Sequence, residues 1–523
     1  MRRNIHLLLF GLFTASMTTL SAETLAEQNA KVVALLPQLQ EQAIAFREGF
    51  NTPGMAIAVV TRDNVYPLTS GYCTEGKSRP IRTSTRFQFA SVSKPITATF
   101  AAMLVSQGLL SWDDRISDLL PDFEFADASA TQLTTVRDML SQRSGLPGSS
   151  GDFLEGLGLT QETILHQMRY VHSAENFRQK WQYTNFGVTI GGVAAASVTG
   201  KDFPQAIRRL FMRPIGMKSA TAIYRQFSTV PNRAALHVIV DGVPVPEFVR
   251  PAQSQAPGGG MSGTILDLAA FLQLHLNRGM VKGRQLVSPE SLDECYTRYT
   301  HFAPGERLGP GPLDDNYYGM CWDITVKPDG TEYINHNGAF SAGARTIVSF
   351  RRADGIGLVV LTNSFLTLLP EAMVDVFFQL YDTGTVRPDT LAEFQERTAD
   401  QGPKAGVDTL IKTLFGLVDT PATIDGHPLS AYTGRYYNDY VGNFDLTEKF
   451  DRASGHNALF FKATAKRTFV KVQLNPENGQ LVARSSEGAL TGLEFQDFDG
   501  SRFNTLVIPN LGELGWETLS RVP

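Results

Sequence analysis

Residues 87–108 read FQFASVSKPITATFAAMLVSQG and contain Ser91 and Lys94 as a Ser-x-x-Lys pair. Apolar residues recur at helical spacing after Pro95, and Gly108 follows the pattern, so the stretch predicts a helix that begins near Ser91. Lys94 would then lie one turn after Ser91 on the same face. A lysine whose pKa is lowered can take the proton of a serine hydroxyl, which makes the pair a candidate for nucleophilic catalysis.

The same pair has a structural alternative, in which Ser91 caps the helix and Lys94 is a solvated surface residue. Average serine and lysine usage produces roughly one or two such pairs by chance in a chain of this length. The rest of the sequence has to decide between the two interpretations.

Length and charge limit the class of protein. The chain has 523 residues and a formal net charge of −5, so two or three domains are expected. Lys and Arg are spread along the chain and form no basic block, so a nucleic-acid partner is not expected.

The N-terminus predicts a secretory signal peptide at residues 1–22. A basic start precedes a short apolar run at residues 7–13, and small residues end the segment at Ala22. The apolar run is too short to span a bilayer, and no later segment reaches that length. The mature protein is therefore expected in a bacterial periplasm or outside the cell.

Metal and disulfide chemistry receive little support from the sequence. The chain has three cysteines, Cys73, Cys295 and Cys321, which permit one disulfide in an oxidising compartment but have no zinc-site spacing. The nine histidines form no His-Glu-x-x-His motif. No metal or cofactor is predicted.

The pattern of elements predicts an α+β fold. A helix at 25–50 precedes strands at 54–61 and 65–72, and the helices around Ser91 and after Thr134 are followed by a mainly helical region at 152–280. Further strands are predicted at 318–326, 343–350 and 356–362, before a helix at 368–381. One sheet is thus built from both ends of this region, with a helical block inserted between them.

The C-terminal part of the chain has a different sequence pattern. Residues 386–429 are predicted to form a connector with one helix near 407–417. Short alternating runs separated by Asn, Gly and Asp begin at Tyr432 and predict a small all-β domain, a barrel.

Two further motifs are candidate partners of Ser91. Tyr183 and Asn185 lie in a Tyr-x-Asn motif, where a phenol could transfer protons and an amide could hold a substrate. His336, Gly338 and Ala339 lie at the end of a predicted strand, where glycine permits close approach to the backbone. Taken alone, each motif is explained more simply by a structural role: a turn for Tyr-x-Asn, and a histidine with its hydrogen bonds satisfied for His336.

Taken together, the motifs resemble the serine β-lactamase and penicillin-binding-protein-like superfamily over roughly residues 53–381. The similarity is greatest to class C β-lactamase-like hydrolases, D-aminopeptidases and related esterases. It rests on these stretches in order: FASVSK at 89–94, LSQRSGLP at 140–147, YTN at 183–185, RPIGM at 213–217, GGGMS at 258–262 and HNG at 336–338.

The resemblance implies a fold and a set of roles. The fold would be an antiparallel sheet flanked by helices, with an all-helical lobe beside the site. Ser91 would be the nucleophile that forms an acyl-enzyme, and Lys94 and Tyr183 would transfer protons. Asn185 would position Lys94 and the substrate amide, and the N–H groups of Ser91 and Ala339 would form the oxyanion hole.

Two positions depart from the pattern of many β-lactamases, which have a hydroxyl residue where this chain has Asn337 and lysine where it has His336. Histidine is mostly neutral at pH 7, so the departure at His336 weakens the case for binding a β-lactam carboxylate and favours the aminopeptidase-like and esterase-like branches. The stretch at 432–442 resembles the start of lipocalin-like C-terminal domains. These domains can shape access to the site or simply stabilise the protein.

The sequence therefore predicts a serine hydrolase of small amide, peptide (including D-amino acid) or ester substrates. The domains would be a hydrolase domain at 23–385, a linker at 386–429 and a lipocalin-like barrel at 430–523. The alternatives are a true β-lactamase, a penicillin-binding DD-peptidase, or a non-catalytic sensor that traps an acyl group. The sequence does not indicate the oligomeric state.

Overall fold

The structure is a computed structural model that describes residues 24–246, 248–303, 314–404, 416–463, 470–485 and 488–523. The predicted signal peptide lies outside these residues. The described helices are α1 (Leu25–Gly49), α2 (Ser93–Ser106), α3 (Ile116–Leu119), α4 (Ala128–Leu133), α5 (Val136–Leu140), α6 (Asp152–Gly156), α7 (Gln161–Gln167), α8 (Asn185–Ser197), α9 (Phe203–Ala206), α10 (Arg213–Ile215), α11 (Tyr224–Ser228), α12 (Ile265–Leu276), α13 (Pro289–Cys295), α14 (Leu369–Thr383) and α15 (Thr390–Lys404).

An antiparallel sheet forms the centre of the larger domain, as the family resemblance implies, and it has eight strands. Its strands are β1 (Gly54–Thr61), β2 (Val65–Gly71), β3 (Thr300–Phe302), β4 (Asp315–Tyr318), β5 (Asp323–Val326), β6 (Glu332–Phe340), β7 (Ala344–Arg351) and β8 (Ile356–Thr362). Their order across the sheet is β2-β1-β8-β7-β6-β5-β4-β3. The two ends of the region therefore meet at β1 and β8, with the helical block between them in sequence.

Both faces of the sheet are covered, which explains the nearly continuous apolar character of β1. Met55 and Ile57 pack with α1 and α14 on one face. Ala56 and Ala58 face the other way, into the core that includes α2 and α12. A strand buried on both faces needs apolar residues at every position rather than at alternate ones.

The helical block differs from the sequence prediction in one respect. The region at 152–280 is mainly helical, but it also contains short strands: His237–Val240 and Val243–Val245, which pair with each other, and Ser262–Gly263, which pairs with Phe87–Gln88. The first of them also pairs in parallel with Ser364–Phe365, which follows β8. This pairing joins segments far apart in sequence, so no local pattern signals it.

The single strand predicted at 318–326 is wrong, because the chain reverses within it. β4 ends at Tyr318 and β5 begins at Asp323, and the two strands pair antiparallel. Gly319 fits the reversal because a Cβ there would lie 2.3 Å from the carbonyl oxygen of Cys295. Cys321 adopts a positive φ of 61° in the same turn. A lone glycine among aromatic and apolar residues does not by itself indicate a reversal of the chain, and Cys321 is not a turn-favouring residue.

The C-terminal domain is a closed eight-stranded barrel, which confirms the predicted architecture. Its strands are β9 (Gly434–Asn438), β10 (Gly442–Asp451), β11 (His456–Ala463), β12 (Val470–Leu474), β13 (Leu481–Ser485), β14 (Gly488–Phe498), β15 (Phe503–Val507) and β16 (Thr518–Val522). Each strand pairs with the next, and β16 closes the barrel on β9. Buried aromatic side chains such as Tyr436, Phe444 and Phe461 contribute to the core.

The segment predicted as a connector contains a helix that the sequence analysis missed. α15 packs against the larger domain through Phe394, which is buried, and through a hydrogen bond from Gln395 Nε2 to the carbonyl oxygen of Gly49, at 2.7 Å. Its composition is polar, with few apolar positions to mark it. The helix predicted near 407–417 lies outside the described residues except for its last two positions.

The remaining predictions concern the cysteines and the membrane. Cys73, Cys295 and Cys321 are all buried free thiols, so no disulfide forms. Within the described ranges, no helix has the length and apolar character needed to cross a bilayer.

Candidate active site

Ser91 lies in a 3-10 turn, Ala90–Val92, that directly precedes α2. The predicted helix therefore begins two residues later than Ser91, but Lys94 still follows on the same side. Ala90 adopts a positive φ of 48°, a conformation that is uncommon outside glycine and often marks a functional site. Ser91 is partly exposed, whereas the adjoining Val92 and Ser93 are buried.

Lys94 is fully buried and its ammonium group has three acceptors. Nζ donates to Ser91 Oγ at 3.1 Å, to Asn185 Oδ1 at 2.7 Å and to the carbonyl oxygen of Gly258 at 2.7 Å. These bonds match the three N–H donors of a lysine. The solvated-lysine alternative is thereby excluded, since a surface residue would be exposed.

Tyr183 forms one wall of the site. Lys94 Nζ lies 4.6 Å from the centre of its ring, which is within the range of a cation–π contact. The ring of Trp181 lies 5.9 Å away on one side and that of His336 lies 6.4 Å away on another. The structure thus brings the predicted Tyr183 to the Ser91–Lys94 pair.

Asn185 is the first residue of α8, and its amide joins two charged groups. Oδ1 accepts from Lys94, and Nδ2 lies 3.2 Å from each carboxylate oxygen of Asp152. A carbonyl oxygen must face an ammonium group and an NH₂ must face a carboxylate, so these two partners fix the orientation of the amide. Thr184 caps the helix by accepting from the N–H of Gly187.

The LSQRSGLP motif supports this helix start. Gln142 accepts from the N–H of Thr184 at 3.0 Å and donates to the Thr184 carbonyl oxygen at 3.2 Å. Both backbone groups of the residue before Asn185 are therefore held by one buried side chain. The motif acts on the site through this contact.

Strand β6 passes directly against the turn that carries Ser91. A Cβ at Gly338 would lie 2.5 Å from the carbonyl oxygen of Phe89 and 2.8 Å from the Ser91 nitrogen. Only glycine fits such an approach. The Thr346 hydroxyl on β7 fixes the same turn by donating to the Phe89 carbonyl oxygen at 2.8 Å. Ala339, the next residue of β6, pairs with Arg345 of β7.

His336 lies on β6, two residues before Gly338, with only 1% of its surface exposed. Its ring is 6.4 Å from that of Tyr183 and 6.3 Å from that of Tyr318. Nδ1 lies 2.6 Å from the carbonyl oxygen of Asn337. The histidine is therefore packed beside the site among aromatic rings rather than exposed at its mouth.

The GGGMS motif supplies a partner of Lys94 that the sequence analysis did not assign. Its first glycine, Gly258, offers the carbonyl oxygen that Lys94 contacts. A Cβ at Gly258 would lie 2.5 Å from the Asn185 carbonyl oxygen, so the loop can approach α8 only as glycine. The GGGMS motif was noticed in the sequence, but it did not indicate that Gly258 contacts Lys94.

Asp152 is the second site residue that the sequence analysis missed. Burial removes water from its carboxylate and the nearby charge of Glu155 repels it, so the pKa of Asp152 rises to about 7. The hydrogen bond from Asn185 and the charges of Arg250 and Lys94 oppose this rise only in part. The contact with Asn185 spans 33 residues, so no motif spacing could indicate it.

The barrel contacts the same segment of the larger domain. The Tyr440 hydroxyl accepts from the N–H of Gly151 at 3.0 Å, and Gln167 Nε2 donates to the Tyr440 carbonyl oxygen at 2.8 Å. Trp516 Nε1 donates to the Tyr170 carbonyl oxygen at 2.8 Å. The first contact holds the residue that immediately precedes Asp152.

No group of three or more His, Cys, Asp and Glu side chains is arranged to hold a metal ion within the part of the chain that the structure describes.

Comparisons with known proteins match the region that carries the site. The family model described as Beta-lactamase matches residues 42–374, which include every candidate residue from Ser91 to Ala339. The chain is 26% identical to penicillin-binding protein 4 of Amycolatopsis lactamdurans over 393 residues, which cover 70% of this chain and 96% of that protein. It is 27% identical to the esterase EstB of Burkholderia gladioli over 378 residues, which cover 64% and 91%.

A solved structure extends the likeness to the whole fold. The octameric penicillin-binding protein homologue from Pyrococcus abyssi aligns with a TM-score of 0.53 over 92% of this chain and 99% of that one, at 19% sequence identity. At this identity the likeness concerns the fold alone. It includes the C-terminal part of the chain, beyond the span of the family match.

Proposed function

Because this chain belongs to the β-lactamase family, we propose that it is a serine hydrolase that acts through an acyl-enzyme at Ser91. Its substrates are small amides, peptides or esters, peptides of D-amino acids included. The observation that carries the proposal is the contact of Lys94 Nζ with Ser91 Oγ, at 3.1 Å, in a fully buried lysine.

The reaction would begin when the Ser91 hydroxyl attacks the substrate carbonyl. Lys94, in its neutral form, accepts the hydroxyl proton, and Asn185 and Gly258 hold the amine in line with Ser91. Tyr183, whose ring borders the amine, takes part in passing the proton to the leaving group. Water then attacks the acyl-enzyme, and the same groups return the proton to Ser91.

The negative charge on the substrate oxygen would be stabilised by backbone donors. The N–H groups of Ser91 and Ala339 belong to segments that Gly338 allows to pack together. Donors fixed in this way need no reorganisation when the charge develops, and removing one such donor typically costs about 10²–10³-fold in rate. Asn185, which is partly exposed, would contact the remainder of the substrate, and His336 would line the site behind Tyr183.

A substrate panel tests the proposal. Wild-type protein and Ser91→Ala are assayed with D- and L-amino-acid amides, short-chain p-nitrophenyl esters and a chromogenic cephalosporin. We expect the wild type to turn over amides or esters and Ser91→Ala to lose that activity. Preferred turnover of the cephalosporin would favour a true β-lactamase. A stable acyl adduct without turnover would favour the acyl-trapping sensor.

We also propose that residues 1–22 direct export to the periplasm or the medium. A positively charged start, an apolar run and a small-residue cleavage site support this assignment. N-terminal sequencing of protein secreted by the native cell would test it. A mature chain that begins near Glu23 is expected, and a chain that retains residues 1–22 would contradict the assignment.

A further inference from the structure

The carboxylate of Asp152 lies one residue beyond the groups assigned to the reaction. Each of its oxygens is 3.2 Å from Asn185 Nδ2, and the other end of the same amide is 2.7 Å from Lys94 Nζ. Asp152 therefore adjoins Asn185, the residue that contacts the remainder of the substrate in the proposed function.

Glu155, one turn later on α6, has both an ion-pair partner and hydrogen-bond donors. It is buried and forms an ion pair with Arg250. Gln255 donates to it from both its side-chain amide and its backbone N–H, the latter at 3.2 Å. The negative charge of Glu155 is thus compensated inside the protein.

Asp152 lacks that compensation. Among the residues that the structure describes, Asn185 is its hydrogen-bond partner, and Asp152 forms no ion pair with Lys, Arg or His. The charged and titratable groups that influence it are Glu155 on the same helix, Lys94 and Arg250 across the site, and Tyr440 of the barrel.

A carboxylate in this setting would gain from a bound cation. Withdrawal from water disfavours the charged form of the carboxylate, because it loses its hydration. A charge-assisted hydrogen bond to an ammonium group would replace that lost stabilisation. Among the described residues, no Lys, Arg or His side chain forms an ion pair with Asp152, so such a cation would have to be part of a bound ligand.

We propose that Asp152 binds the positively charged α-amino group of the substrate. The protein then prefers acyl groups with a free ammonium group, such as amino-acid amides and peptides attacked at a free N-terminal residue, over the N-acylated compounds of the same shape. This inference rests on the proposed function, because only an acyl group bound at Ser91 brings its α-substituent to Asn185 and Asp152.

A purely structural role for Asp152 makes a different prediction. If Asp152 only orients the Asn185 amide, its replacement weakens the reaction of charged and neutral substrates alike. If it binds the ammonium group, the loss is selective. The ratio of two kcat/KM values therefore separates the two roles.

The test compares alanine p-nitroanilide with N-acetylalanine p-nitroanilide, each in D and L form. The proteins are the wild type, Asp152→Asn, Asp152→Glu and the control Glu162→Gln, an exposed acid on α7. We expect the wild type to prefer the free amine at least tenfold. Asp152→Asn should lower that ratio at least tenfold, mainly through KM, Asp152→Glu should restore part of it, and Glu162→Gln should leave it unchanged.

The pH dependence supplies a second readout. Protonation of Asp152 below pH about 7 should reduce the preference for the free amine. Loss of the substrate proton above pH about 8 should reduce it too, since α-amino groups titrate near that value. The preference should therefore be greatest between these limits in the wild type, and nearly independent of pH below 7 in Asp152→Asn.

An unchanged ratio in Asp152→Asn, an equal loss on both substrates, or a wild-type preference for the acetylated compound would each overturn the proposal. If Asp152→Asn does not fold, the wild type is tested alone by protection of Ser91 from a fluorophosphonate. Alaninol should protect at a concentration at least tenfold lower than N-acetylalaninol, and equal protection or none would contradict the inference.

Failure of this inference and failure of the proposed function give different results. If the fluorophosphonate does not label Ser91, or if Ser91→Ala retains activity, the proposed function fails. If Ser91 is labelled and the substrate ratio does not depend on Asp152, only the assignment of Asp152 fails.

Discussion

At the scale of single residues, the site is organised around the buried amine of Lys94. Its three acceptors come from the Ser91 turn, from the start of α8 and from the GGGMS loop. All three acceptors are uncharged groups, so Lys94 forms no direct ion pair with a carboxylate of the site.

Replacement of Lys94 tests its part in proton transfer. Lys94→Ala should lower kcat/KM on the best substrate by roughly 10²–10⁴-fold, the usual contribution of a positioned acid or base. Lys77→Ala, which removes an exposed lysine, should have no effect. Circular dichroism and thermal melting confirm that both variants fold. Near-normal turnover in folded Lys94→Ala would remove the lysine from the mechanism.

Replacement of His336 tests whether this position sets the substrate class. His336→Lys introduces a permanent cation beside Tyr183, where many β-lactamases have one. A hydrogen bond to a charged group contributes roughly 1.5–3 kcal/mol, so the ratio of cephalosporin acylation to ester hydrolysis should rise about tenfold or more. Stopped-flow rates on both substrates measure it, and an unchanged ratio in a folded variant would show that the position does not select the substrate.

At the scale of elements, the site depends on one close contact between the Ser91 turn and β6. Gly338 lets the strand approach so closely that a Cβ there would lie 2.8 Å from the nitrogen of Ser91. Thr346 holds the turn from the neighbouring strand β7. The distance between the two backbone segments is therefore set by the absence of one side chain.

Gly338→Ala tests this contact. Its Cβ would meet the carbonyl oxygen of Phe89 at 2.5 Å, so the strand or the turn has to move. We expect kcat to fall about 10²–10³-fold, as for the loss of an oxyanion donor. Gly156→Ala is the matched control, since nothing lies within 4 Å of its Cβ. Full activity in Gly338→Ala would show that the approach of β6 is not needed.

Elements formed by local patterns were predictable, and contacts between distant segments were not. β1 and β8 match the predicted strands at 54–61 and 356–362, because each is a run of apolar residues. The reversal near Gly319 was missed, since what requires glycine there is the carbonyl oxygen of Cys295. Similarly, the sequence led to Ser91, Lys94, Tyr183 and Asn185 through motifs but not to Asp152.

At the scale of the whole molecule, the barrel is joined to the segment that carries Asp152. Tyr440 is buried, and its hydroxyl accepts the N–H of Gly151. Gly151 has a positive φ of 82°, so its backbone conformation depends on the absence of a side chain. The barrel thereby supports the loop that leads to α6.

Tyr440→Phe tests whether this support reaches the site. A buried N–H that loses its acceptor costs roughly 1–3 kcal/mol, and we expect kcat/KM to fall about three- to tenfold because part of that cost falls on the loop that positions Asp152. Tyr437→Phe is the control, since its hydroxyl bonds to Asp439 on the exposed side of the same domain. Equal activity of both variants would mean that the barrel contact does not influence the site.

The central claim, that Ser91 is the acylated nucleophile, is tested most directly by intact-mass measurement after reaction with a fluorophosphonate. The wild type should gain one adduct, and Ser93→Ala should gain it too, because Ser93 is buried and its hydroxyl accepts the N–H of Met261. Ser91→Ala should gain none. An adduct of the same mass and rate on folded Ser91→Ala would contradict the account.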